Sequence, residues 1–185
     1  MADLTEDEAL QRAIQGDAEA FSFLYEKYVN KIFSYIYYRT GSTTDAEDLT
    51  ARVFQRALGR IDRYTQKGVP FSAWLYRIAH NLVANWHRDN SRRQEVALDD
   101  QINLVMSGDQ PEHQVVDYQE VEKLIEVIQR LTPERQQLVI LKFVQQLSNA
   151  EIAVIMSKSE GAIKSLYHRT LIELRIKIKE ILEQE

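Results

Sequence analysis

The sequence contains no cysteine. That absence removes disulfide bonds, thiolate-ligated zinc and cysteine nucleophiles together. Proline and glycine are scarce, three and six in 185 residues. Between them the apolar residues recur at three and four, so the fold is expected to be almost wholly helical. No apolar run approaches the length of a membrane span, and the opening MADLTEDEAL is acidic. This predicts neither a signal peptide nor a membrane-inserted helix, and a soluble, cytoplasmic protein. Catalytic signatures are missing too. There is no glycine-rich phosphate loop, no Ser/His/Asp set and no recognisable acid pair, so neither an enzyme nor a cofactor is expected. His80 and His87 stand seven apart on one expected helix without a third ligand at metal spacing, so no metal is expected either.

What is present is a charge inversion. The chain carries a net charge of −5. Yet Thr50 to Glu95 holds nine Arg or Lys against three Asp or Glu, a local excess that points to a polyanionic or acidic partner. From Asp99 to Glu134 the sign reverses, with nine acids and two bases.

The basic stretch reads as two helices joined by a polar loop. In DAEDLTARVFQRAL, Thr44 is placed to cap, with Glu47 at capping-box spacing. Asp45, Glu47 and Asp48 fall in the first turn, where the helix dipole favours acid. Ala46, Leu49, Val53, Ala57 and Ile61 share one face. Asp48, Arg52, Gln55 and Arg56 lie outside, either as an ordinary solvated surface or as a docking face for a charged partner helix. The second helix opens near Pro70 and buries a stripe of Phe71, Leu75, Ile78, Leu82 and Trp86. Arg77, Asn81, Asn85 and Arg88 form another stripe at strict fours. No acid interrupts the chain between Asp62 and Asp89, and long donors and amides at this spacing can follow a phosphate backbone or read base edges. The connecting loop, Tyr64 to Phe71, contains Gln66, Lys67 and Gly68. It has the composition to hold an unstacked base, or to serve as a plain connection. Trp74 lies beside the inner stripe and fits core packing or a wedge between bases.

Upstream, Thr5 with Glu8 caps a short helix that stops at Gly16, and Asp17 caps a longer one running to about Tyr38. Its stripe is Phe21, Leu24, Tyr25, Tyr28, Ile32, Tyr35 and Ile36. Downstream, residues 94–114 lose all periodicity and read as a linker. Val116, Val121, Leu124, Ile125, Ile128 and Leu131 then make one amphipathic helix. Thr132-Pro133 caps and starts another, with Leu138, Val139, Leu141 and Phe143 buried. A short helix over Leu147 to Met156, a turn at Ser157-Lys158 and a long helix capped by Ser159 follow. Ile163, Tyr167, Leu171, Leu174, Ile178 and Ile181 are expected to line its inner side, with Lys164, Ser165 and His168 outside. This is a helix-turn-helix arrangement with donors near the start of its second helix.

DAEDLTARVFQRAL followed by FSAWLYRIAHNLVANWHRDNSRR resembles region 2 of bacterial sigma factors of the extracytoplasmic-function (ECF) group. DAEAFSFLYEKYVNKIFSYIYYRTG resembles that region's opening helix. LTPERQQLVILKFVQQLSNAEIAVIMSKSEGAIKSLYHRTLIELR resembles sigma region 4. The resemblance implies an all-α fold of two small helical domains: residues 1–93 as region 2, 94–114 as a flexible acidic linker, and 115–185 as region 4. It implies a transcription-initiation factor with core RNA polymerase and promoter DNA as partners, and leaves room for an anti-sigma factor. Asp45, Glu47, Asp48, Arg52, Gln55 and Arg56 match the part that binds the β′ clamp helices, and region 4 would meet the β flap. Tyr64, Gln66, Lys67, Phe71, Trp74, Arg77, Asn81, Asn85 and Arg88, with Arg92 and Arg93 on nearby phosphates, match the part that melts and reads the −10 element. Ser159, Lys164, Ser165, His168 and Arg169 match the part that contacts the −35 element. Gln146 and Ser157 or Lys158 stand where region 4 commonly has glycine, and Leu166 and Tyr167 stand where polar residues are frequent. The other reading is a one-component helix-turn-helix regulator that works apart from the polymerase.

Overall fold

The computed structural model describes residues 4–65, 69–97 and 118–183. Among them there is no strand. The order is α1 (Glu6–Ile14), α2 (Ala18–Thr40), α3 (Thr43–Leu58), a 3-10 turn (Ile61–Arg63), α4 (Phe71–Ala97), α5 (Tyr118–Gln129), α6 (Pro133–Val139), a π-helical turn (Ile140–Val144), α7 (Asn149–Met156) and α8 (Glu160–Leu182).

Local chemistry sets most boundaries. Thr5 caps α1, and Glu8 answers the Thr5 amide at 2.9 Å, closing the capping box. Asp17 accepts from the amides of Glu19 and Ala20 to start α2. Gly41, left-handed at φ 69°, ends it. The cap of α3 is Ser42 rather than Thr44: the Ser42 Oγ accepts from the Asp45 amide at 3.2 Å. One extra helical residue thereby precedes Thr44. Ser148 and Glu151 form a second capping box at the start of α7. The helicity of α4 persists to Ala97, four residues past the point where the apolar period fades.

In the first domain α1 to α4 close around Leu10, Leu24, Ile32, Ile36, Leu49, Val53, Phe71, Leu75 and Leu82, all buried. The face expected of α3 is buried throughout. Tyr25 departs from its stripe and is 43% exposed. Its ring meets Phe54 edge-on at 4.8 Å.

The second domain packs α5, α6 and α7 on the first half of α8. Three assignments shift here. Phe143 is 50% exposed rather than buried. The π-helical turn, closed by the Gln145 amide on the Ile140 carbonyl at 3.0 Å, winds wider than 3.6 residues and rotates later side chains out of phase. On α5 it is Val127 that is buried, while Leu124 faces outward. On α8 the buried line is Ile163, Leu166 and Thr170, with Tyr167 and Leu174 at its flank; Leu171 and Ile178 are exposed. Thr170 is satisfied by donating to the Leu166 carbonyl at 2.7 Å. Leu166 is therefore core, which accounts for an apolar residue at that place. The side chains of Val121 and Ile181, and all of Val116, lie outside the described residues.

The two domains also touch one another. One contiguous cluster of buried apolar residues runs from Ala9 to Leu166, and α7 lies against α4 while α5 lies against α2.

Candidate nucleic-acid and partner interfaces

Three surfaces carry the residues singled out by sequence. On α3, Glu47, Asp48, Arg52, Gln55 and Arg56 are exposed along one outer face. Asp48 and Arg52 pair across one turn at 3.7 Å, an exposed pair of little intrinsic stability. Asp45 is half-buried beside its cap. The buried face opposite fixes this helix, so the charged side is held in one orientation without stabilising the fold itself.

On α4, Asn81 and Arg88 are exposed and Asn85 is half-buried, with Arg88 Nη2 donating to Asn85 Oδ1 at 2.9 Å. Arg77 is drawn away from this row. Its Nη2 donates to the Val154 carbonyl at 2.6 Å and to Ser157 Oγ at 3.1 Å, and its Nε donates to the Ile155 carbonyl at 3.4 Å. Tyr64 and Phe71 are buried rather than offered for stacking. The Tyr64 hydroxyl donates to the Val69 carbonyl at 2.6 Å, and its ring meets Phe71 edge-on at 5.7 Å and Trp74 at 5.1 Å. These rings anchor both ends of the connecting loop to the core, and burial raises the Tyr64 pKa. Trp74 remains half-buried at the edge of the cluster. Gln66, Lys67 and the side chains of Arg92 and Arg93 lie outside the described residues.

On α8, Ser159, Lys164, Ser165, His168 and Arg169 are all exposed. Ser159 Oγ caps the helix by accepting from the Ala162 amide at 3.2 Å. Lys164 pairs with Glu160 at 3.1 Å, and Arg169 Nε donates to the Ser165 carbonyl at 3.3 Å. The turn before α8 runs through Ser157 at φ 55°, and Gln146 before α7 also has φ 55°. Both positions that the sequence marks as lacking a customary glycine are thus left-handed, a conformation that carries a steric cost for non-glycine residues.

Sequence reasoning missed a polar cluster behind α4. Arg39 is only 1% exposed. Its Nη1 donates to Tyr35 Oη and to His80 Nδ1, each at 3.0 Å. A guanidinium has no acceptor, so His80 is held neutral with its proton on Nε2. Burial, reinforced by the Arg39 charge, pushes the His80 pKa down to about 4. His87 is lowered by the same two causes. The signal available in sequence was Arg39 four residues after Tyr35, in line with the apolar stripe of its helix. Among the described residues no group of His, Asp or Glu is placed to hold a metal, and no helix is long and apolar enough to cross a membrane.

Comparisons with known proteins identify the family. The sigma-70 region 2 family matches residues 24–93, and the sigma-70 region 4 family matches residues 121–174. The chain is 42% identical to the ECF RNA polymerase sigma factor BldN of Streptomyces coelicolor over 164 residues. That match covers 89% of this chain and 62% of BldN, so the chain spans less than two thirds of that relative. It is 28% identical to the ECF sigma factor SigW of Bacillus subtilis, across 93% of this chain and 96% of SigW. In fold it resembles CnrH, solved in complex with the cytosolic domain of CnrY, with TM-score 0.70 and 18% identity over 93% of this chain and 96% of that one. It also resembles RpoE of Bartonella quintana, solved with the anti-sigma factor NepR, with TM-score 0.68 and 20% identity over 88% and 98% of the two chains. With both sigma-70 regions matched in order and curated relatives of one group, the chain belongs to the ECF sigma factors.

Proposed function

We propose that this protein binds core RNA polymerase, directs it to promoters through −10 and −35 contacts, and promotes promoter melting. The observation that carries this reading is the pairing of two DNA-suited surfaces on one chain. One is the acid-free outer row of α4; the other is the exposed start of α8 behind a capped helix-turn-helix. A one-component regulator accounts for α8 but gives no role to the exposed charged face of α3.

Region 2 is assigned to residues 1–93 and region 4 to residues 115–185, with 94–114 as the linker. Asp45, Glu47, Asp48, Arg52, Gln55 and Arg56 are assigned to the β′ clamp helices. Lys164, Ser165, His168 and Arg169 are assigned to the −35 element, with Ser159 positioning the helix start. In the −10 surface, Asn81, Asn85 and Arg88 face the strand, and Arg77 joins them when released from α7. Arg92 and Arg93 are assigned to phosphates and Gln66 and Lys67 to the displaced base. Tyr64 and Phe71, being buried, hold the two ends of the loop to the core, with Trp74 packed beside them. No catalytic group is required: unstacking a base costs a few kcal/mol, and capture of that base offsets the cost.

An apolar groove of about 270 Å³ lies between α5, the π-helical turn and α8, lined by Leu124, Val127, Phe143, Leu174 and Ile178. Its apolar walls suit an amphipathic helix of the β flap or of an anti-sigma factor, the latter being the kind of partner with which RpoE of Bartonella quintana was solved. Run-off transcription with purified core enzyme on a genomic library tests the whole reading. Promoter-specific transcripts that depend on this protein are expected. Failure to copurify with core polymerase, with retained duplex binding, would instead favour the one-component regulator.

A further inference from the structure

We propose that the junction of α4, α6 and α7 holds a binding site for a small tetrahedral oxyanion, inorganic phosphate or a phosphomonoester. Two observations carry it: a cavity lined by hydrogen-bond donors, and a buried cation without a counter-charge beside it. Neither depends on the role of α4 at promoters.

The cavity measures about 270 Å³, and Arg77, His80, Asn81, Gln137 and Ser157 supply its polar lining. Among the described residues no Asp or Glu lines it. Each of the five side chains can donate. Arg77 spends Nε and Nη2 on the Val154 and Ile155 carbonyls and the Ser157 hydroxyl, which leaves the Nη1 hydrogens for a ligand. The same bonds satisfy the last carbonyls of α7, whose partial negative charge would otherwise oppose an anion. The Ser157 hydroxyl accepts from Arg77 at 3.1 Å, so its own proton remains to be donated. His80 accepts from Arg39 on Nδ1, which leaves Nε2–H as the donor of the ring. Asn81 and Gln137 add amide hydrogens. Asn81 and Ser157 are exposed, so a solute reaches the cavity from outside. Its volume falls below the about 300–1,000 Å³ of drug-sized pockets, which selects a small ion over a nucleotide.

The second observation lies one residue deeper. Arg39 is 1% exposed, and its guanidinium is held by the Tyr35 hydroxyl and His80, neither of them a carboxylate. Its Nε has no hydrogen-bond partner among the described residues. A buried charge is ordinarily paired, because desolvation is otherwise uncompensated. Two cavity residues touch this cluster. His80 does so directly, and Gln137 does so through the Tyr35 hydroxyl. An oxyanion in the cavity therefore stands between Arg77 and the His80 ring that Arg39 backs, and answers both guanidinium charges. Arginine suits this task, since its planar fork matches the oxygens of phosphate.

The test uses the full chain in phosphate-free buffer at about pH 7, where a phosphomonoester carries about −1.5 to −2 charges. Sodium phosphate, glycerol phosphate and sodium chloride are titrated at constant ionic strength, with binding read by isothermal calorimetry and folding by a circular-dichroism melt. Saturation at one ion per chain is expected for phosphate, glycerol phosphate or both, without a matching response to chloride. The tighter of the two ligands says whether the free ion or the monoester is preferred. Gln137→Glu places a carboxylate of the same shape in the lining. It should weaken phosphate binding about tenfold or more, because a like charge then opposes the anion. A linear response that chloride reproduces overturns the site. So does a folded Gln137→Glu protein that binds phosphate as tightly as the wild type. Should Gln137→Glu lose its cooperative melt, Ser157→Gly decides instead: glycine suits the left-handed backbone there, and loss of the hydroxyl should weaken phosphate binding several-fold. Unchanged affinity in that variant would equally overturn the site.

Discussion

Lys164 tests base reading most directly among single residues. It forms an exposed i,i+4 ion pair with Glu160, worth about 0.3–0.5 kcal/mol. DNA can therefore displace it at small cost. If Lys164 reads a base edge, Lys164→Ala should weaken binding by about 1–3 kcal/mol and relax preference at one −35 position. If it meets only phosphate, affinity should fall evenly across sequences; transcription from randomised −35 templates distinguishes the two. His80 gives a pH prediction. In the fold it stays neutral down to about 4, against an ordinary 6.5. The unfolded chain thus takes up this proton first as pH falls. The contribution is complete above pH 6.5 and is lost as pH drops from 6.5 towards 4, with His87 acting in the same direction. Glu151, held low by the Ser148 hydroxyl and amide, acts only below its ordinary 4.5. Urea midpoints between pH 6.5 and 4.5 should therefore decline for the wild type, and more shallowly for His80→Gln, which keeps an acceptor for Arg39 without titrating.

Among the elements, α3 separates stability from binding most cleanly. Its buried face holds it in place, and its outer face makes one weak ion pair. Reversing both charges, Asp48→Lys with Arg52→Glu, should change unfolding free energy by about 0.5 kcal/mol or less. The same variant should bind core polymerase much more weakly, as read by titration. Unchanged affinity would remove this face from the polymerase interface. The helix-turn-helix is less separable, because α7 both supports α8 and contacts α4. Changes at Ser157 are expected to reach the −10 surface as well as the −35 one.

For the molecule as a whole, the proposed promoter opening would join both domains to the polymerase, with the loop after Tyr64 as its centre. Replacing Gln66 and Lys67 by alanine should leave folding and core binding intact but impair open-complex formation on duplex templates. A pre-melted bubble should rescue much of the loss. Permanganate footprints of the −10 region that match the wild type on duplex DNA would exclude the loop as the capture site. With a net charge of −5 and a basic inset over Thr50 to Glu95, attraction for DNA is expected to concentrate on that stretch rather than over the whole surface.

What the sequence determined by itself is what local physics encodes. Capping at Thr5, Asp17, Ser148 and Ser159 is decided within four residues, and so is the left-handed turn at Gly41. The buried face of α3 follows from a period that needs no partner to be recognised. The family was legible for the same reason, since its motifs are short and ordered along the chain. Tertiary structure alone decided the burial of Tyr64 and Phe71, because polar flanking residues do not reveal whether an aromatic ring turns into the core. It also decided the outward turn of Phe143, where one π-helical turn resets the phase that a 3.6 period extrapolates. The Arg39–His80 contact spans 41 residues and the Arg77–Val154 contact 77. Neither pairing has a local signature, since each partner looks like an ordinary helix residue until the other helix is laid against it.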